Sequence, residues 1–186
     1  MNIQDIQLMY DYNYWASGKV LTASTKVTVE QFLATADYPF GGLRGTLVHI
    51  IDAEHGWRKL FETNVFGADL NPGDFPTVAS VEERWREEED AMRAYLDCLK
   101  EKDLAGHLRY KTNEGKQRDR ILWHCLLHVV NHGTQHRSEA AALLTNYGCS
   151  PGDLDFTLFL NESGKPQLPP LKVSKTIPRA NKKVTL

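Results

Sequence analysis

The sequence predicts an all-α protein, and three observations support this fold class. Four long segments carry apolar residues at helical spacing, as Ile3, Ile6, Tyr10 and Tyr14 do in the first segment. Capping residues and helix stops border these segments, and loops that contain glycine and proline separate them. One short polar segment, residues 104–119, departs from the helical pattern.

The first half of the chain contains two long predicted helices. The first covers about residues 3–24. Thr28 and Gln31 form a capping-box pair that opens a short helical turn. Pro39 and the two glycines that follow it break the chain, and the second long helix is predicted from Leu43 to Phe61.

The second half contains two more long helices. Ser80 and Glu83 form another capping box, which predicts the start of the third long helix. Residues 104–119 surround an Asn-Glu-Gly turn, which indicates a short β-hairpin. The fourth long helix is predicted from Asp119 to Tyr147, where glycine and proline stops follow. The apolar spacing over residues 154–159 predicts a short fifth helix.

The chain has 186 residues, which predicts one domain over residues 1–163 and a tail rich in proline and lysine over residues 164–186. This tail is either extended and flexible or a strap on another surface, such as a partner subunit. The net charge of −2 argues against nucleic acid or an anionic membrane as the main partner.

Several features predict a cytoplasmic protein. The start of the chain lacks a basic stretch followed by an apolar run, so no signal peptide is expected. No stretch of about 18 apolar residues exists, so no membrane span is expected. The odd set of Cys98, Cys125 and Cys149 matches no zinc-binding spacing, and we expect reduced thiols.

Four of the seven histidines lie on the fourth predicted helix, at His124, His128, His132 and His136. Steps of four residues drift by only about 40° around a helix, so the four form one slowly turning stripe. Any adjacent pair presents two imidazoles to a common point, which is a frequent arrangement for binding a metal ion. Two ligands are too few for a tight site, so a third must come from another helix.

The second helix offers His49 and His55, which point roughly 120° apart. His49 shares its helix face with Gly45, Ala53 and Gly56, whose small size is expected to leave room for an ion. His55 lies among charged residues, where a solvated role is simpler. From spacing alone two interpretations stay open: a metal site, or buried histidines that are hydrogen-bonded in the core.

Three stretches resemble the DinB family, including its DinB/YfiT-like members. They are YNYWA at residues 12–16, LVHIIDAEHGW at 47–57 and HVVNHGTQHR at 128–137, in matching order and spacing. The resemblance covers about residues 3–160. It implies a four-helix bundle, usually a homodimer, which binds a metal ion through three histidines.

Carried over to this chain, the resemblance implies that the metal ligands are His49, His132 and His136. His128 and His124 are then expected to be hydrogen-bonded neighbours or core groups. Imidazole ligands suit several divalent ions, of which zinc and nickel are favoured here. Three protein ligands leave a coordination position open, which is typical of catalytic rather than structural sites.

The resemblance also implies a class of function. Similar proteins include thiol-dependent transferases and metal-dependent hydrolases or isomerases. We therefore expect an enzyme that uses a thiol or water nucleophile on a small electrophile, with a low-molecular-weight thiol as one candidate substrate. The alternatives are a non-enzymatic dimeric module that binds a metal or small ligand, and a structural dimer whose histidines pack without metal.

The chain departs from the family pattern beside the last ligand. The family often reads HHRGQ, whereas this chain has Gln135 before the ligand and Ser138-Glu139 after the arginine. Glu139 lies seven residues after His132, close to the histidine stripe, and is a candidate catalytic residue. It can accept a proton from a ligand imidazole or from metal-bound water. The alternative is a surface carboxylate paired with Arg137 or another neighbour.

Overall fold

The structure is a computed structural model, and it describes residues 1–112 and 114–164. The long helices are α1 (Ile3–Ser24), α3 (Leu43–Thr63), α4 (Val78–Cys98) and α6 (Leu122–Asn146). The shorter elements are α2 (Val29–Leu33), α5 (Glu101–Leu104), α7 (Phe156–Glu162) and the antiparallel strands β1 (His107–Lys111) and β2 (Gln117–Ile121). The predicted all-α fold with a short hairpin is confirmed.

The four long helices pack as a bundle. Helix α6 contacts α1 and α3 along its length, and α4 contacts α3 and, less extensively, α1. The core forms two main apolar clusters, with Leu47 and Leu144 in one and Met92 and Leu126 in the other. In the described part of the chain, no helix is both long and apolar enough to cross a membrane.

Capping residues set most helix starts. The Thr28–Gln31 capping box opens α2 as predicted. The predicted Ser80–Glu83 box is wrong, because α4 begins one turn earlier, after Thr77. The Thr77 hydroxyl accepts a hydrogen bond from the Ser80 backbone N–H at 3.1 Å, so Ser80 is already inside the helix.

The predicted start of the fourth long helix at Asp119 is also wrong. Residues 117–121 form β2, in which Asp119 lies opposite Arg109 and accepts hydrogen bonds from Arg109 and His107. Helix α6 therefore begins at Leu122. At the same end of the bundle, where Leu60 packs near Cys125, α3 runs two residues past its predicted end, to Thr63.

The hairpin lies against the bundle through one buried side chain. Leu108 of β1 packs with Leu60 of α3 and Cys125 of α6. This contact places the hairpin beside the α3–α6 pair, which also carries the histidines. The predicted tail, apart from Gly164, lies outside the described residues.

Candidate metal centre

His49, His132 and His136 meet between α3 and α6. One nitrogen from each ring lies within 4.8 Å of the other two. Nε2 of His49 and Nε2 of His132 are 3.2 Å apart. The ring centroid of His136 lies 4.4 Å from that of His132 and 4.7 Å from that of His49.

Apolar packing around the three rings fixes their positions. Val48 and Ile50, which flank His49 on α3, are buried, as are Val130 and Ala140 on the two sides of the histidine pair in α6. Because these residues face neighbouring helices, neither helix can rotate about its axis without losing core contacts. The pair on α6 is one helical turn apart, so both rings point toward α3.

The spacing of the His49 and His132 nitrogens fits a divalent ion. Two nitrogens that each lie about 2.1 Å from one ion are about 3.4 Å apart at a tetrahedral angle and about 3.0 Å apart at a right angle. The observed separation of 3.2 Å between the His49 and His132 nitrogens lies between these values. Burial, reinforced by the neighbouring His136, lowers the pKa of His49 and of His132 to about 4. Both rings are therefore neutral at pH 7, the form that binds metal.

Glu139 contacts a ring of this group. Its Oε2 atom lies 2.8 Å from Nδ1 of His136, one helical turn away on α6. An ionised carboxylate only accepts hydrogen bonds, so Nδ1 carries the hydrogen and Nε2 is left for an ion. Glu139 thus contacts the His136 imidazole. Its catalytic role stays a prediction.

The comparison with known proteins agrees with this geometry. The model of the DinB family matches residues 1–168. The chain belongs to the DinB family. It is 24% identical to "Protein DinB" of Bacillus subtilis (strain 168) over 164 residues, which cover 84% of this chain and 95% of that relative. DinB family membership and the three-histidine group are together compatible with metal binding.

One side of the centre in this DinB-family chain is covered by Phe40, from the loop before α3. Its ring stacks on His49 at 3.5 Å and meets His136 edge-on at 5.1 Å. The expectation that Gly45 leaves room for an ion is wrong. A Cβ atom there would lie 1.8 Å from the Phe40 carbonyl oxygen, so the space already holds the Phe40 backbone.

The other histidines lie outside the group. His55 is not solvated as expected, because its Nδ1 atom lies 3.0 Å from Oε2 of the buried Glu88. His128 contacts the ring of His132 at 5.8 Å and that of Trp57 at 5.1 Å. His124 is exposed, and its ring contacts that of its neighbour Trp123. The expectation that it could be a core group is therefore wrong.

A buried polar network behind the centre was missed by the sequence reasoning. The Arg137 guanidinium, 1% exposed, donates a hydrogen bond to the side-chain oxygen of Asn13. The Asn13 amide donates to Glu54 Oε2 at 3.1 Å, and the Tyr14 hydroxyl donates to Glu54 Oε1. Burial raises the pKa of Glu54 to about 7. The network joins α6, α1 and α3. The signal in the sequence was an arginine directly after a histidine of the stripe.

Proposed function

We propose that this DinB-family protein is a metal-dependent enzyme that directs a thiol or water nucleophile at a small electrophile. His49, His132 and His136 would hold one divalent ion, with zinc and nickel as the expected ions. One observation carries the proposal: three imidazole nitrogens lie within 4.8 Å of one another, and within the described residues no fourth His, Cys, Asp or Glu joins them. Open three-histidine sites are typical of catalysis.

The chemistry of such a site follows from charge. A divalent ion held by three neutral ligands keeps its full charge, which favours the anionic form of a thiol or water at neutral pH. The chain's own residues prepare the site. Glu139 fixes the tautomer of His136, and Phe40 shields the His49 face from water. Glu139 is thus a positioning residue in this proposal.

Metal analysis tests the proposal directly. Purified protein should contain about one divalent ion per chain, and His132→Ala should lose it, because two imidazoles bind weakly. His124→Ala is the matched control, since His124 lies exposed on the same helix. Full metal content in the His132→Ala protein would contradict the assignment.

A second function has one observation in its favour. Phe40 covers two of the three rings, which suits a module that binds metal without turnover. A thiol titration of cobalt-substituted protein separates the two functions. An open site gives a thiolate-to-cobalt charge-transfer band, whereas a covered site gives no spectral change.

We also propose a homodimer, as the family resemblance implies, and light scattering at micromolar concentration tests it.

A further inference from the structure

A groove of about 770 Å³ opens beside the histidine centre. Its lining comes from α3, from the loop after α3 and from the β-hairpin. Asp52 and Ala53, which lie in its wall, follow His49 by three and four residues on α3. The groove therefore begins about one helical turn, or about 5 Å along the axis, from a proposed metal ligand.

Three aromatic rings form part of the groove wall: Trp57, Phe66 and Tyr110. Each pair of centroids is separated by 5.6 Å, with interplanar angles of 77°, 78° and 86°. All three side chains are partly exposed. Rings at near right angles offer both faces and edges, a surface that suits apolar groups and organic cations.

The groove lining carries three carboxylates and one guanidinium, that of Arg118, so its net charge is negative. Glu114 pairs with Lys116 at 2.7 Å. Asp52 and Asp69 form no ion pair with any Lys or Arg in the described ranges. Asp52 accepts one hydrogen bond, from the Leu70 backbone N–H at 2.7 Å.

The two carboxylates lie near each other, because Asp69 directly precedes Leu70, whose backbone N–H donates to Asp52, and both residues line the groove. Burial raises the pKa of Asp52 and the negative charge of Asp69 adds to this rise, whereas the hydrogen bond from Leu70 and, to a smaller extent, the charges of His55 and Arg84 oppose it. A cation placed between Asp52 and Asp69 would remove this repulsion, whereas an anion would increase it. The unpaired charge and the aromatic wall thus favour the same class of ligand.

We propose that this groove binds a small organic molecule with a protonated amine. The ammonium group lies at Asp52 and Asp69, and the hydrocarbon part packs on the Trp57, Phe66 and Tyr110 wall. We further assign such an amine, when it also carries an electrophilic group, as a substrate of the histidine centre, a step that rests on the proposed function. His128 links the two regions, because its ring contacts both Trp57 and His132.

Calorimetric titration with 2-phenylethylamine tests the ligand class, with neutral 2-phenylethanol as the comparison. The amine should bind about tenfold more tightly or better, the value of a hydrogen bond to a charged group. Asp52→Asn and Asp69→Asn should each weaken amine binding severalfold and leave alcohol binding unchanged. Asp90→Asn is the matched control, because Asp90 is exposed on α4, outside the groove.

Equal affinity for amine and alcohol, absence of amine binding, or no effect of either groove variant would overturn the proposal. The same titration on the His132→Ala protein keeps the two proposals separate. Because the His132→Ala protein should carry no metal, amine binding to it would show that the groove binds its ligand without the ion. Full metal content in that variant would contradict the metal centre alone. In NMR spectra, the proton signals of the bound amine should be broader with cobalt-substituted protein than with zinc-substituted protein. Binding without this broadening would overturn the substrate assignment.

Discussion

At the scale of single residues, Gly45 shows how tightly the centre is built. The absence of a side chain there lets the Phe40 carbonyl approach α3, and this approach places the Phe40 ring on His49. Helix spacing identified Gly45 as a neighbour of His49. Spacing carries no information about which loop returns to that surface, so Phe40 could not be predicted.

Gly45→Ala should therefore destabilise the protein. A Cβ atom 1.8 Å from a backbone oxygen forces the loop to move, at a cost of about 1–3 kcal/mol. Gly18→Ala provides the control, because no atom lies within 4 Å of its Cβ position in α1. That change should stabilise by about 0.5–1 kcal/mol. Urea unfolding measures both, and equal effects would contradict the argument.

Glu139 acts at the same scale through a single hydrogen bond. Glu139→Gln keeps the size of the side chain and removes the charge that holds Nδ1 of His136. Metal affinity, measured by chelator competition, should fall about 10-fold or more. The unfolding free energy of the metal-free protein should change little. Ser138→Ala, at the exposed neighbouring position, should leave affinity unchanged; an equal loss there would contradict a specific role for Glu139.

At the scale of elements, α3 and α4 are joined by charge as well as by apolar packing. Glu88 of α4 is 1% exposed and accepts hydrogen bonds from Arg58 and Arg84, and it also contacts His55. Burial raises the pKa of Glu88, but the hydrogen bond and charge of Arg58, with smaller contributions from His55 and Arg84, lower it by more. The net pKa lies below the ordinary value of 4.5.

Glu88 therefore stabilises the fold above pH 4.5, and this contribution is lost as the pH falls through its lowered pKa. Glu88→Gln should cost about 1.5–3 kcal/mol at pH 7, because the buried Arg58 guanidinium loses one of its two carboxylate partners and keeps Glu62. The difference from the parent protein should shrink as the solution is acidified. Glu87→Gln, at an exposed neighbour, should have little effect. A difference that does not depend on pH would contradict this account.

At the scale of the whole molecule, the Arg137–Asn13–Glu54 network ties three helices together from inside the bundle. Asn13→Ala should remove one acceptor of the buried Arg137 guanidinium, which also donates to Ser17 and Thr134, together with the amide donor of Glu54, at a cost of about 1–3 kcal/mol. It should also weaken metal binding, since Arg137 adjoins His136, one of the proposed ligands. Asn131→Ala, exposed on α6, is the control. Unchanged unfolding free energy for Asn13→Ala would show that the network does not stabilise the bundle.

How much of the structure the sequence could predict depends on how far apart in the chain the interacting residues lie. Helix periods and the Thr28 cap are local, and they gave the long helices to within a few residues. The histidine stripe is also local, but choosing His49 as its partner needed the resemblance to a family. The bond from Asn13 to Glu54 spans 41 residues and that from Arg137 to Asn13 spans 124, so no local pattern indicated either.

The hairpin has a consequence for how such a protein can diversify. It rests on the bundle through Leu108, while its turn and the loop after α3 form the outer wall of the groove. Changes of length or composition in such loops cost little stability, since they leave the packed core intact. New ligand preferences can therefore arise by exchange of these two loops, while the histidines on α3 and α6 stay fixed. Selectivity and reactivity are thereby placed on parts of the chain that are free to evolve separately.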